Sequence, residues 1–149
     1  MGQYSISTLV KLPFDRALRE THRALAEKEF AVITEIDLQA KLAKKLGQQI
    51  RPYTILGVCV PWWEYEALSR EPDIGLRMPS HVCLWDNGNG TCTLATADLQ
   101  HLCHTEENPP LAKAARAVNA RLRAVVASVQ FTGMTNTPKP PANRVAGEN

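Results

Sequence analysis

The chain has 149 residues and 16.5 kDa, with 44% hydrophobic and 21% charged side chains and a formal charge of only +2. That is the length of one domain with enough apolar material for a core, which excludes a disordered or fibrous protein. No window approaches the roughly 18 consecutive apolar residues of a membrane span, and so even a charge balance does not mark a nucleic-acid binder.

Tyr4 to Leu12 alternates loosely through Ile6, Thr8, Val10 and Leu12, as a strand does. Pro13 ends it and can open a helix. From Phe14 to Glu29, Phe14, Ala17, Leu18, Thr21 and Leu25 share one helical face. Asp15/Arg19, Arg16/Glu20 and Arg23/Glu27 sit four apart on the other, where opposite charges meet. Phe30 to Ile36 reads as a second strand. Asp37 is positioned to cap a short helix with Leu38, Leu42 and Leu46, closed by Gly47. Tyr53 to Val60 is the most apolar strand, and its unbroken run predicts a central position buried on both faces. Pro61 ends this strand, and Trp62 to Arg70 suits a short helix.

Pro72 and Pro79 bracket a turn-rich segment. His81 to Trp85 and Thr91 to Thr96 then form a predicted hairpin joined by Asn87-Gly88-Asn89-Gly90. Asp98 to His104 is a short turn or helix. After Pro109-Pro110 the longest helix carries Leu111, Ala115, Val118, Leu122, Val125 and Val129 on one face. Its Lys113, Arg116, Arg121 and Arg123 are read as a solvated face. From Thr135 onward there are three prolines and almost no large apolar side chains. The division expected is one domain over residues 1–130 and a flexible tail over 131–149. Strands and long helices do not alternate strictly, so the fold expected is α+β: a two-layer sandwich, mainly antiparallel, with helices packed on one face.

Four cysteines, Cys59, Cys83, Cys92 and Cys103, occur without any C-x-x-C. With no basic-then-apolar leader in Met1-Gly2-Gln3-Tyr4, reduced thiols in a cytoplasm are expected. Cys59 closes a buried strand just before a Pro-started helix, where helix N–H groups would lower a thiol pKa. Trp62 and Trp63 cannot both point inward from one helical turn, which places at least one at an edge, a pocket mouth or a subunit interface. In the hairpin, alternation puts His81, Cys83 and Trp85 on one face and Val82 and Leu84 on the other, toward the helices. His101, Cys103 and His104, with His81, Cys83 and Met78, are ligand types that suit zinc or Cu(I), or a haem axial position, although no spacing here is diagnostic. Ser80 and His81 are strand neighbours pointing to opposite faces, so they cannot form a nucleophile and base pair.

Ile55-Leu56-Gly57-Val58-Cys59-Val60-Pro61 is similar to the Leu-Gly-x-Cys-Asn-Pro signature of the domain of unknown function 302 (DUF302) family. Ile74-Gly75-Leu76-Arg77-Met78-Pro79-Ser80 resembles that family's Ile-Gly-Leu-x-x-Pro-Cys run, and the likeness spans roughly residues 4–105. The resemblance implies a TATA-binding-protein-like topology, often dimeric, with no established general activity; likeness of topology does not imply DNA binding. Two departures stand out: Val60 replaces the family's Asn, and Ser80 its second Cys, so a paired-thiol chemistry does not carry over.

The expectation is a non-enzymatic, small-ligand-binding homodimer with its site at Cys59, Trp62, Trp63, Ser80, His81 and Cys83. The cofactor is unknown, and neither nucleic acid nor membrane is a partner. The alternatives are a thiol or redox enzyme using Cys59, and a copper, zinc or haem protein using His81, Cys83, His101, Cys103 and His104.

Overall fold

A computed structural model of the chain describes residues 4–102 and 109–135, the side chains of 101 and 102 excepted. The elements run β1 Ser5–Val10, α1 Phe14–Glu27, β2 Ala31–Asp37, α2 Leu38–Leu46, β3 Tyr53–Cys59 and α3 Pro61–Arg70. A 3-10 helix at Pro72–Arg77, β4 Ser80–Asp86, β5 Cys92–Ala97, α4 Leu99–Leu102 and α5 Pro109–Thr135 complete the order. Local chemistry accounts for most boundaries. Extended Pro13 precedes the first turn of α1. Asp37 accepts the Ala40 N–H at 3.0 Å, and Gly47 closes α2 at φ 63. In the hairpin, Gly88 and Gly90 take φ 81 and 80, while Asp86 accepts from the Gly88 N–H at 2.8 Å.

The five strands form one antiparallel sheet in the order β1-β5-β4-β3-β2. Alternate residues face α1 and α5, and these are the sealed ones: Val10, Leu56, Val58, Val82, Leu84 and Leu94 are all buried. They meet Ala17, Ala24 and Leu25 of α1 and Val118, Leu122, Val125 and Val129 of α5 in a single core. This is the α+β sandwich expected, with the helices on one side. Cys92 lies in that core at 0% exposure, donates to the Leu12 carbonyl, and has its thiol pushed up to about 11 by burial and then by Asp86.

β3 corrects one expectation. Its Thr54, Leu56 and Val58 are buried under the helices, but Tyr53 and Ile55 on the other face are only half-buried. Among the described residues no second helical layer lies there, so the apolar run marks burial on both sides only at Gly57 and Cys59. Gly57 is needed because a side chain there would run into Thr34 Oγ1 and come within 2.8 Å of the Pro79 ring, which follows the cis Met78–Pro79 peptide. The cationic face of α5 is also tied down more than expected. Arg121 donates to Glu29 Oε2 at 2.6 Å and to the Lys28 carbonyl at 3.1 Å, with its guanidinium 5.9 Å from the Trp62 ring. Arg123 stands 3.7 Å from Asp98. α5 itself continues through residues 131–135 to Thr135.

The contact at Gly57 is directly testable. Gly57→Ala is expected to cost about 1–3 kcal/mol in urea unfolding, the usual scale of overpacking, and Thr34→Ala in the same chain should recover part of it.

Candidate functional site

Because the register is continuous across four strands, the helix-free face can be read residue by residue. Tyr53 lies opposite Trp85, Ile55 opposite Cys83, Cys83 opposite Ala95, and Ala95 opposite Ser7. Ser5 lies opposite Ala97. Short side chains on neighbouring strands therefore make a floor, and long aromatic ones stand around it. The result is a concavity of about 380 Å³ lined by Tyr4, Ser5, Tyr53, His81, Cys83, Trp85, Ala95, Thr96 and Ala97.

One wall is a near-parallel stack of Tyr53 on Trp85, with centroids 5.5 Å apart and planes 11° from parallel. Burial, then the neighbouring Cys83 and its hydrogen bond, pushes the Tyr53 phenol up to about 12. The Cys83 thiol is raised by burial, with the Tyr53 hydroxyl's donation pulling the other way. Both groups thus hold their protons at neutral pH. Thr96 turns its hydroxyl to the His81 carbonyl at 3.0 Å, so it presents backbone rather than a free donor.

Of the residues singled out from sequence, His81 and Cys83 line this hollow, and Cys59, Trp62, Trp63 and Ser80 do not. By register Cys59 shares the open face, paired with Ala31 at the end of β3, and it is buried at 9% exposure. Ser80 lies opposite Val58, on the helix-covered side. Positions 59 and 80 thus sit on adjacent strands with opposite facing. Trp63 is in the core, its Nε1–H buried with no acceptor among the described residues. Trp62 is 44% exposed and lines a separate groove of about 210 Å³ with Glu66, Arg70, Leu111 and Ala114, between α3 and α5.

The thiol of Cys59 moves opposite to expectation. It is raised from its ordinary 9.0, first by burial and then by the charge and hydrogen bond of Glu64. The helix N-terminus offers it little: Pro61 has no N–H, and the N–H groups of Trp63 and Glu64 both donate to the Val60 carbonyl, at 3.0 and 3.1 Å. For metals, no group of three His, Cys, Asp or Glu side chains is arranged to hold an ion among the described residues. Cys103, His104 and the His101 side chain lie outside them. Tyr53, Ala95, Ala97 and Ser5 went unnoticed in the sequence, although alternation in β1 and β5 marks the last three as open-face positions.

The family model described as "Domain of unknown function DUF302" matches residues 6–129. A crystal structure of an uncharacterized conserved DUF302 protein from Bacillus stearothermophilus is similar at 21% identity and a TM-score of 0.77. It covers 86% of this chain and 99% of that one, which supports the fold. No curated protein matches the chain.

Native alkylation reports on Cys59. Iodoacetamide should label it at least about tenfold more slowly at neutral pH than in the urea-unfolded chain, because the sulfur is both shielded and protonated. The rate should still be rising with pH at 9.0, where an unperturbed thiol nears its plateau, and Glu64→Gln should move the plateau to lower pH. Labelling at the unfolded rate would mean an open thiolate instead.

Proposed function

The chain belongs to the DUF302 family, which brings no activity with it, and on that premise we propose that it is a non-enzymatic small-ligand-binding protein whose site is the hollow on the helix-free sheet face. The observation that carries this reading is the concavity itself. Its volume falls at the small end of ligand pockets, which run to about 300–1,000 Å³, and its lining is mainly apolar with a few convergent polar groups. The site is centred on Cys83 rather than Cys59. Tyr53, Trp85 and His81 form its contact surface, in place of Trp62, Trp63 and Ser80. Rigid strands hold every one of these residues, a precondition for selective binding without large rearrangement.

A thiol-enzyme reading has less support. A catalytic cysteine needs a thiolate near neutral pH, and burial opposes that at both Cys59 and Cys83. We place the protein in a reducing cytoplasm, where Cys59, Cys83 and Cys92 stay free thiols. No helix among the described residues is long and apolar enough to cross a membrane.

We also propose that two copies associate. Leu76 is 90% exposed, and Tyr65 and Leu68 of α3 are 73% and 44% exposed, which is more large apolar surface in adjoining elements than a solitary chain favours. Gly75, beside Leu76 in sequence, approaches the Leu68 side chain at 3.9 Å for a built Cβ, so these elements are neighbours.

A crystallographic fragment screen tests the site. Hits should cluster against Trp85 and Ala95, and Ala95→Leu should abolish them; hits scattered elsewhere, with the hollow empty, would overturn the assignment. Sedimentation tests the assembly: a species of twice the 16.5 kDa chain mass is expected, and Leu76→Asp should shift it to the monomer. A monomer throughout the micromolar range would remove the dimer.

A further inference from the structure

The hollow also carries information about what it would hold, and this rests on the ligand-binding reading above. Its nine lining residues include no Asp, Glu, Lys or Arg. On a protein surface with 17 basic and 15 acidic side chains, that is a local exclusion of fixed charge. An ionic ligand entering there would lose part of its hydration and gain no counter-charge, an unfavourable exchange for an unpaired ion. The shape is as selective as the charge. Ala95, Ala97 and Ser5 project little from the sheet, leaving a shallow flat floor, while Tyr53 and Trp85 stand together as a rigid stacked pair. A flat π-system lying on small side chains and meeting an aromatic wall, face to face or edge to face, satisfies both surfaces.

We propose that the hollow takes an uncharged, planar aromatic molecule of about one or two fused rings, held without a covalent bond, with a hydrogen bond to His81 at the rim. Non-covalent retention follows from Cys83, whose protonated thiol faces the hollow as a soft, polarisable contact suited to a ring edge. His81 is exposed, where its ring can meet a polar edge of the ligand without the cost of burying an imidazole.

Three probes sharing one scaffold isolate the charge: indole, indole-3-acetate and tryptamine, each titrated into the protein labelled with nitrogen-15. Indole should shift the backbone amides of Cys83, Ala95 and Ala97 and the Trp85 indole N–H. The anionic and cationic analogues should need at least about tenfold higher concentration for the same shift. Trp85→Leu should weaken indole binding about tenfold; should that variant unfold, Ala97→Leu fills the hollow from a half-buried position on its floor and should abolish the shifts with the remaining spectrum unchanged. If either charged analogue binds at these amides as tightly as indole, the ligand class is wrong and the site stands. If none of the three moves them, and the fragment screen also leaves the hollow empty, the site falls with it.

Discussion

Among the described residues helices cover one side of the five-stranded sheet and leave the other open, and that asymmetry sets the character of each strand residue in turn. Fully burying one Val or Leu is worth about 1.5–3 kcal/mol, and Leu56, Val58, Val82, Leu84 and Leu94 are each buried beneath α1 and α5. A slip of one residue in any pairing would turn such a set outward and forfeit several of those terms together. The residues between them have no comparable force acting on them. They are placed by their neighbours' burial, so the geometry around Tyr53, Cys83, Trp85 and Ala95 is enforced from the opposite side of the sheet. That arrangement lets a largely solvent-facing surface hold a defined shape.

Much of this layout was legible from the chain alone, because strand alternation and caps are local signals. The opposite facing of His81, Cys83 and Trp85 against Val82 and Leu84 follows from the two-residue period of a strand. The cap at Asp37 and the stop at Gly47 follow from side-chain chemistry within a few residues. The hollow is different in kind. It exists because Ser5 and Ala97 meet across β1 and β5, a pairing of residues that no local pattern joins. Cys59 shows the same limit. A strand-ending thiol before a Pro-started helix suggests activation, yet its state is decided by burial and by the Glu64 side chain one helical turn away. Local sequence supplies the helix; it does not reveal that the Trp63 and Glu64 N–H groups are already committed to Val60.

The two helices beneath the sheet are also linked at their margins by polar groups. Asn119 of α5 accepts the Leu99 N–H at 2.9 Å and donates to Asp98 at 2.6 Å, fixing the exit from β5. Arg121, two positions on, reaches the end of α1 and lies beside Trp62 of α3. Neighbouring positions on α5 therefore register three other elements, in addition to the apolar stripe that packs on the sheet. The Arg121 pair orients the layers more than it stabilises them, since partly exposed charge pairs contribute little net energy, whereas Asn119 and Asp98 are buried, where a lost hydrogen bond is costly.

Strand order has a consequence for how the polypeptide acquires this form. Ser5 pairs with Ala97, so the first of the five strands to be synthesised finds its partner only after almost the whole sheet has been made. The β2, β3 and β4 strands can join by successive neighbours, whereas β1 must wait for β5 and then for α5 to settle over it. Long-separation pairing of this sort slows folding and leaves an unsatisfied strand open to wrong partners in the interval. Nascent chains halted before β5 would carry β1 as an unpaired, adhesive ribbon, making the synthesis of β5 and α5 the step on which correct assembly turns.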